Sequence, residues 1–313
     1  MATKKKLDNS NISKHLGQTS QYKSTYDPSL LVREPRQSNR THLGLEDEDL
    51  PFVGNDTWNA YEISGLTDSG LPVTGVAKIV YTCSNKYIVE SKSIKLYFNS
   101  FNMTKLGSNA DDVRKSIEIY ASSDLSKLLN TDVKVKVFSN ETVLKNSVDA
   151  FTEWGHDYNK LKGKSYITLE EEYPINGVVF SVYNETPKLL KVLDAETNEV
   201  YYHSALLKSN CRVTSQPDWG DVYIYMKGKK TVDPISLLKY IVSFRDECHF
   251  HEEICETIYT RLQDIVEPDQ LCVRCLYARR GGIDINPERA SSKDLLHWTL
   301  SDEGVPFCKT PKQ

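Results

Sequence analysis

Hydrophobic positions along this chain change their period several times, and the changes mark out two similar cycles. Residues 72–82 are rich in Val, Ile and Tyr, and residues 86–90 include Tyr-Ile-Val-Glu. Residues 132–138 alternate as Asp-Val-Lys-Val-Lys-Val-Phe, the period of a half-buried strand. Between them, residues 110–129 space their apolar positions for a helix and place acids in its first turn. The second cycle opens with short strand-like runs over 175–202 and an alternating run over 221–227, after which Gly228 is expected to turn the chain. Residues 233–266 read as helices, with Asp233-Pro234 as N-cap and first residue and a stripe of Ile254, Ile258, Leu262 and Val266. Residues 271–277 return to strand, and 283–313 read as loop and short closing elements.

Both cycles carry Tyr-x-x-Ser-Phe, at 97–101 and 240–244, at the start of a helical region. With the repeated order of strand, helix and strand, this predicts tandem duplication in an α+β protein with antiparallel sheet. The expected division is a polar, extended or mobile segment over 1–40, a first module over 41–160 and a second over 161–313. The polar stretch around 153–172 is the expected joint. Within the first segment, Tyr26-Asp27-Pro28-Ser29-Leu30-Leu31 is apolar enough to dock on the body or on a partner subunit.

Composition narrows the class. A net charge of −4 over 313 residues gives no basic stripe for nucleic acid, and Lys4-Lys5-Lys6 is the one basic run. No stretch has the apolar length of a signal core or a membrane span. Seven cysteines cannot all pair and lack the spacing of a small disulfide framework, which implies a reducing, cytoplasmic compartment.

Candidate chemistry concentrates in Cys211-Arg-Val-Thr-Ser-Gln-Pro-Asp218-Trp-Gly. A thiolate is a soft nucleophile for nitrile, imine or carbonyl carbon, and Lys208 is placed to favour it. Asp218, beside Trp219, is a candidate acid with a pKa raised by desolvation; alone, Pro-Asp-Trp-Gly would read as a turn. His251-Glu252-Glu253 lacks the second histidine of a zinc protease, because position 255 is Cys. Cys248, His249, His251 and Cys255 form no second close pair for a tetrahedral zinc site, and no metal is expected. Cys272 and Cys275 stand three apart on a strand, facing opposite ways, and read as structural.

Glu90-Ser91-Lys92-Ser93 ends a strand and opens a helix, a place for an anionic group, whereas the Glu90 carboxylate suits the amino-imino edge of a guanine-like ring. Arg279-Arg280-Gly281-Gly282 follows a strand and could hold a nucleotide phosphate by guanidinium and open backbone. No Gly-x-Gly-x-x-Gly follows a strand, so a Rossmann site is not supported.

Together these segments resemble the bimodular NADPH-dependent nitrile reductases of queuosine biosynthesis, the 7-cyano-7-deazaguanine reductase (QueF) family. The resemblance runs from about Tyr26 to Pro287. It is carried by Glu-Ser-Lys-Ser-Ile-Lys-Leu-Tyr at 90–97, Leu-Leu-Lys-Ser-Asn-Cys at 206–211, Gln-Pro-Asp-Trp-Gly at 216–220, Phe-His-Glu at 250–252 and Arg-Arg-Gly-Gly-Ile-Asp-Ile-Asn-Pro at 279–287. It implies a tunnelling fold of two modules, a homodimer, no membrane and no direct nucleic-acid contact. It implies Cys211 as nucleophile and Asp218 as proton donor. Val89, Glu90, Ser91, His251 and Glu252 would hold the deazaguanine nitrile, and Ser91, Lys92, Arg280 and Gly281 would hold NADPH. Cys83 and Arg212 depart from the family pattern, and Arg212 is expected to bear on Cys211. Two readings stay open beside the reductase: an amidine-forming relative using the same cysteine, and a purine- or pterin-binding protein without turnover.

Overall fold

The computed structural model of the chain describes residues 22–143, 160–161, 164–296 and 312–313. Its first half runs β1 (Arg33–Pro35), α1 (Gln37–Leu43), β2 (Val53–Thr67), β3 (Pro72–Thr82), β4 (Tyr87–Val89), α2 (Ser91–Ser100), β5 (Lys105–Gly107), α3 (Ala110–Leu129) and β6 (Val133–Phe138). Short strands β7 (Lys160–Leu161), β8 (Lys164–Ser165) and β9 (Ile167–Thr168) lead into the second half. That half comprises α4 (Leu169–Glu172), β10 (Val192–Ser204), β11 (Lys208–Cys211), β12 (Pro217–Val232), α5 (Pro234–Val242), β13 (Cys248–His249), α6 (His251–Val266), β14 (Gln270–Tyr277) and β15 (Ile283–Ala290). Each half is antiparallel sheet with helices packed against it, the α+β arrangement expected of a tandem tunnelling fold.

Local sequence explains these elements. Helix α3 is capped by Asn109, whose side chain accepts from the Asp111 and Asp112 amides, and it buries Val113, Ile117, Ala121, Leu125 and Leu129 along one stripe. Strand β6 buries Val133, Val135 and Val137 while Lys134 and Lys136 face out. Asp233 caps α5 by accepting from the Ser236 amide, with Pro234 in the first turn. Ile254, Ile258, Leu262 and Val266 of α6 are fully buried, as their spacing predicts.

The Tyr-x-x-Ser-Phe echo is real, but it closes a helix in each half instead of opening one. Ser100 and Ser243 each donate to the tyrosine carbonyl three residues back, at 2.6 and 2.7 Å. The ring pairs Tyr97–Phe101 and Tyr240–Phe244 stand edge to face at 5.2 and 5.3 Å. A second echo escaped the sequence reading: Pro28–Leu30 and Pro187–Leu189 form matching 3₁₀ turns, each followed by leucine in extended conformation. Two unrelated segments would not converge on both details, which supports duplication.

Four expectations are corrected. Residues 283–290 are no loop but β15, buried along its whole length, pairing with β14 and, from Ile283↔Ala60 to Ala290↔Val53, with β2. This strand joins the halves into one sheet of order β13-β11-β12-β14-β15-β2-β3-β6. The expected joint at 153–172 lies partly outside the described residues. Gly228 does not turn the chain: it sits inside β12 opposite Asn198, where a Cβ would come within 3.1 Å of the Asp269 amide, a close approach that favours glycine. Of residues 175–202, only the final stretch is strand. The expected mobile segment is packed down over its described part: Tyr26 docks on the body as its run suggested, against Phe101 at 4.9 Å and donating to Asp124, but Arg36 and Arg40 beyond it are buried too. Among the described residues, no helix is long and apolar enough to cross a membrane.

Candidate active site

A hairpin sets the spacing between Cys211 and Asp218. Strands β11 and β12 pair antiparallel with Ser209 opposite Asp218, and the Cys211 amide donates to the Gln216 carbonyl at 2.8 Å. The loop between them closes through Ser215, whose φ is +54°. Directly opposed residues share a face, and Cys211 lies two residues beyond Ser209, so thiol and carboxyl stand on one face as diagonal neighbours. Trp219, opposite Lys208, points the other way and is 40% exposed. The indole therefore does not desolvate Asp218.

That face borders a cavity of about 330 Å³ between the two halves. All ten residues expected at the site line it. Val89, Glu90, Ser91 and Lys92 come from the β4–α2 junction, Cys211 and Asp218 from the hairpin, His251 and Glu252 from the start of α6, and Arg280 and Gly281 from the β14–β15 turn. The two helix N-termini thus converge on one space, and β15, which locks the halves together, forms part of its wall through Ile283 and Ile285.

The acids differ in how their pKa values are shifted. Glu90 caps α2, accepting from the Lys92 amide at 3.1 Å and the Ser93 amide at 2.7 Å, yet burial still pushes its pKa up. Glu252 is pushed up to about 8 by burial first and by the nearby Asp56 charge second. Its Oε1 is buried without a hydrogen-bond partner, as are Nδ1 of His251 and Nε1 of Trp58, another cavity residue. Three orphaned polar atoms around one cavity mark a place that a polar ligand completes. The His251 ring lies flat on Tyr277, with centroids 3.8 Å apart, and directs Nε2 toward Asp218 at 3.5 Å.

Asp218 reverses the expected direction. Burial raises its pKa, but His251 and the paired guanidinium of Arg280 outweigh burial and hold it below the ordinary value. Arg280 also donates to Gln216 Oε1 at 2.7 Å, forking across both residues. Lys208 is likewise otherwise engaged, donating to Asn210 Oδ1 and the Arg245 carbonyl at 2.7 Å each.

His249, weighed in the sequence only as a zinc ligand, and Trp58, not singled out at all, also line the cavity. His249 lies beside Cys211 in the parallel β11–β13 pair. Burial lowers its pKa, but carboxylates of Glu247 and Glu253 at 3.2 and 3.1 Å raise it further, to about 9. Glu253 also takes Arg212 at 2.6 Å, so the unusual arginine after Cys211 is tied to the same acid. A histidine between two glutamates within seven residues was a readable signal; Trp58 offered none. Cys83 is buried in the core away from the cavity, and burial raises its pKa. Cys272 and Cys275 pack into different clusters on opposite faces of β14. Among the described residues, no three His, Cys, Asp or Glu side chains converge as metal ligands.

Residues at the cavity mouth suit a phosphorylated dinucleotide. Lys92, Lys95 and Arg280 all line the cavity, Lys95 also pairing with Glu62 at 3.3 Å, and Gly281 and Gly282 adopt φ of +57° and +79° in the adjoining turn. A Cβ on Gly281 would stand 3.3 Å from the Lys95 ammonium, so the turn and the cations share tight space.

Residues 22–137 match the family model described as nitrile reductase, 7-cyano-7-deazaguanine-reductase N-term, and residues 217–295 match that of QueF-like protein. The chain is 39% identical over 302 residues to the NADPH-dependent 7-cyano-7-deazaguanine reductase of Colwellia psychrerythraea, covering 95% of each. It is 39% identical over 276 residues to the protein of that name from Legionella pneumophila, covering 88% of this chain and 89% of the relative. A solved archaeosine synthase QueF-Like in the apo form covers 32% of this chain at 14% identity with a TM-score of 0.28, too distant a likeness to carry weight. On the length and level of the match to the two reductases, the chain belongs to the 7-cyano-7-deazaguanine reductase (QueF) family.

Proposed function

We propose that this chain uses NADPH to reduce the nitrile 7-cyano-7-deazaguanine to 7-aminomethyl-7-deazaguanine, a step of queuosine-type biosynthesis, through a thioimide on Cys211. One observation carries the reading: Cys211 and Asp218 share a hairpin face on a cavity lined both by buried carboxyls and by cations.

Cys211 adds through sulfur to the nitrile carbon, and the electron pair displaced onto nitrogen takes a proton from Asp218 in its protonated form. Held by Ser91, Lys92, Arg280 and Gly281, NADPH would supply the hydride for each of the two reductions, first of the carbon bearing sulfur and then of the imine carbon. Between these, the C–S bond breaks and Cys211 leaves as thiolate. Four electrons and four hydrogens separate nitrile from amine, so two hydrides balance the electrons and two protons, the first from Asp218 and the second from solvent, complete the nitrogen. Glu252 and the remaining lone pairs of Glu90 accept from the deazaguanine edge, with Val89 and Ser91 alongside and His251 orienting the nitrile end. Ser91, Lys92, Arg280 and Gly281 would hold the cofactor phosphates. Covalent attachment keeps the thioimide in place until the first hydride arrives, and enclosure in the cavity keeps the freed imine from water until the second.

The test mixes protein, nitrile and NADPH and follows the reduced nicotinamide absorbance. Two NADPH consumed per nitrile supports reduction. An amidine without consumption indicates transfer to an amine, and tight binding without either product indicates a binding module. Cys211→Ala should abolish turnover and the intact-mass adduct; an adduct surviving in that variant removes the nucleophile assignment. Asp218→Asn should slow adduct formation by ~100-fold or more.

Pairing of two chains belongs to the same reading. Outer strand β6 has no strand on its far edge among the described residues, which a second copy could extend. A cytoplasmic location fits the six unpaired cysteines among the described residues, and the net charge of −4 argues against direct nucleic-acid contact.

A further inference from the structure

We infer that Arg212 is a positioning residue, which ties the chain just after Cys211 to the helix turn that holds the substrate ring and so registers sulfur against the nitrile carbon. This rests on the function proposed above and deepens it.

A nitrile is linear and joined directly to a flat ring. It has no torsion by which its carbon could move to meet a misplaced thiol. Once Glu90 and Glu252 hold the ring edge, the gap between sulfur and carbon is set by how the end of β11 sits against the start of α6. Reacting atoms need a separation of about 3–3.5 Å, and misplacement by about 1 Å can cost ~100-fold in rate. A contact that fixes strand end against helix start therefore acts on the bond-forming step.

Arg212 makes that contact. Strand β11 stops at Cys211, whose amide and carbonyl bond to Gln216 and Ser215 within the hairpin loop. Those bonds shape the loop without fixing it to α6. Arg212 reaches outside it: Nη1 donates to Oε1 of Glu253 at 2.6 Å, and the guanidinium lies over the Phe250 ring at 5.7 Å. Phe250 is the N-cap of α6 and lines the cavity with Cys211, while Glu253 directly follows Glu252. The anchor is itself held. Oε2 of Glu253 accepts from the Phe250 amide at 3.1 Å and pairs with Nδ1 of His249 at 3.1 Å. His249 in turn stands opposite Cys211, the last residue of β11 in its ladder with β13. The residue beside the nucleophile in space and the residue after it in sequence thus meet on one carboxylate. The far end of the loop is held separately, by Arg280 on Gln216. Without Arg212, Glu253 keeps its other two partners and the fold persists; the freedom appears at the thiol.

The experiment times two reactions of Cys211 in the full chain, without NADPH: the intact-mass adduct with 7-cyano-7-deazaguanine, and alkylation by iodoacetamide, read at Cys211 by peptide mass. Iodoacetamide needs no bound ring and is indifferent to register. In Arg212→Ala the adduct should form ~10- to 100-fold more slowly, while alkylation keeps its wild-type rate. Nitrile affinity should be the same in Cys211→Ala and in Cys211→Ala combined with Arg212→Ala. Arg212→Lys, whose ammonium can reach the same carboxylate, should recover part of the lost rate. Adduct formation at the wild-type rate in Arg212→Ala overturns the positioning role and leaves the reductase reading intact. Equal slowing of adduct and alkylation also overturns it, by placing the effect on the reactivity of the thiol itself. Weaker nitrile binding in the double variant does so too, by placing the effect on the ring pocket. No adduct in the wild-type protein removes the reductase reading, and this inference falls with it.

Discussion

Glu252 and Glu256 lie one turn apart on α6 and are 3% and 2% exposed, yet their pKa values are shifted in opposite directions. Burial penalises both carboxylates. For Glu256 that penalty is outweighed by Arg289, whose Nη2 lies at 2.9 Å, by Arg40, whose Nη2 lies at 2.7 Å, and by Arg36 at 3.9 Å, so its pKa is held below the ordinary value. Glu252, one turn nearer the helix start, has an orphaned Oε1 and a pKa of about 8. Depth is therefore not what separates a structural acid from a binding acid; the partner is. Arginines from α1, its leading turn and β15 complete one acid, and the other is left for something the chain does not supply.

The comparison breaks first at Glu256. Glu256→Gln removes the charge that three buried guanidinium groups face, and leaving buried charges uncompensated typically costs ~3–5 kcal/mol. Urea unfolding should show that loss as a lower midpoint. A midpoint within the wild-type error would mean that Asp56, which also pairs with Arg36 and Arg289, suffices alone.

Glu252→Gln should do the reverse. It should leave folding intact and weaken nitrile binding ~10- to 100-fold, the range for losing a charge-assisted hydrogen bond or two. Equilibrium binding measured on a Cys211→Ala background separates this from adduct formation. On that background, affinity should also improve as pH rises toward about 8, since the N–H edge of the ring needs the ionised acid, and Glu252→Gln should flatten the dependence.

How much of this was legible beforehand differs by mechanism. The interval from Cys211 to Asp218 was readable as a signal, and its cause is a hairpin that puts positions 211 and 218 on one face. The surroundings of Asp218 were misread because adjacency in sequence places Trp219 on the opposite face of a strand. His251 and Arg280, the latter 62 residues away, hold the pKa of that acid down instead. Strand β15 was invisible for a related reason. Ile-Asp-Ile-Asn-Pro-Glu-Arg-Ala looks exposed, yet Asp284 is met by Asn59, Tyr61 and Asn286, and Arg289 by Asp56 and Glu256. Burial satisfied by distant partners leaves no periodic trace in the strand that is buried. The helices α3 and α6 were legible because their apolar stripes are local.

Protonation of Glu252 also reaches stability. Its folded pKa of about 8 lies above the ordinary 4.5, so between these values the folded chain binds a proton that the unfolded chain does not. Stability contributed by this group is complete below the lower value and is lost as pH rises through the upper one, by at most ~1.4 kcal/mol per pH unit. Unfolding midpoints across that window should decline more steeply for wild type than for Glu252→Gln. Parallel curves would show that Glu252 is ionised in the folded chain and that its orphaned oxygen finds a partner in solution.

The smallest expected effect lies at Glu253, between the two acids compared above. It binds Arg212 and His249 and also accepts from the Phe250 amide at 3.1 Å, so its carboxyl serves three donors at the start of α6. Glu253→Gln keeps an oxygen for the amide and the arginine but gives up the charge. Its two charged partners are partly exposed, so the stability loss should be ~1 kcal/mol or less. The sensitive readout is His249, whose pKa of about 9 depends on Glu247 and Glu253 together. With one carboxylate gone, burial regains ground and the imidazole should titrate at lower pH, visible by NMR. An unchanged His249 titration would assign its charge to Glu247 alone and make Glu253 an anchor for Arg212, placing it with Glu256 among the structural acids.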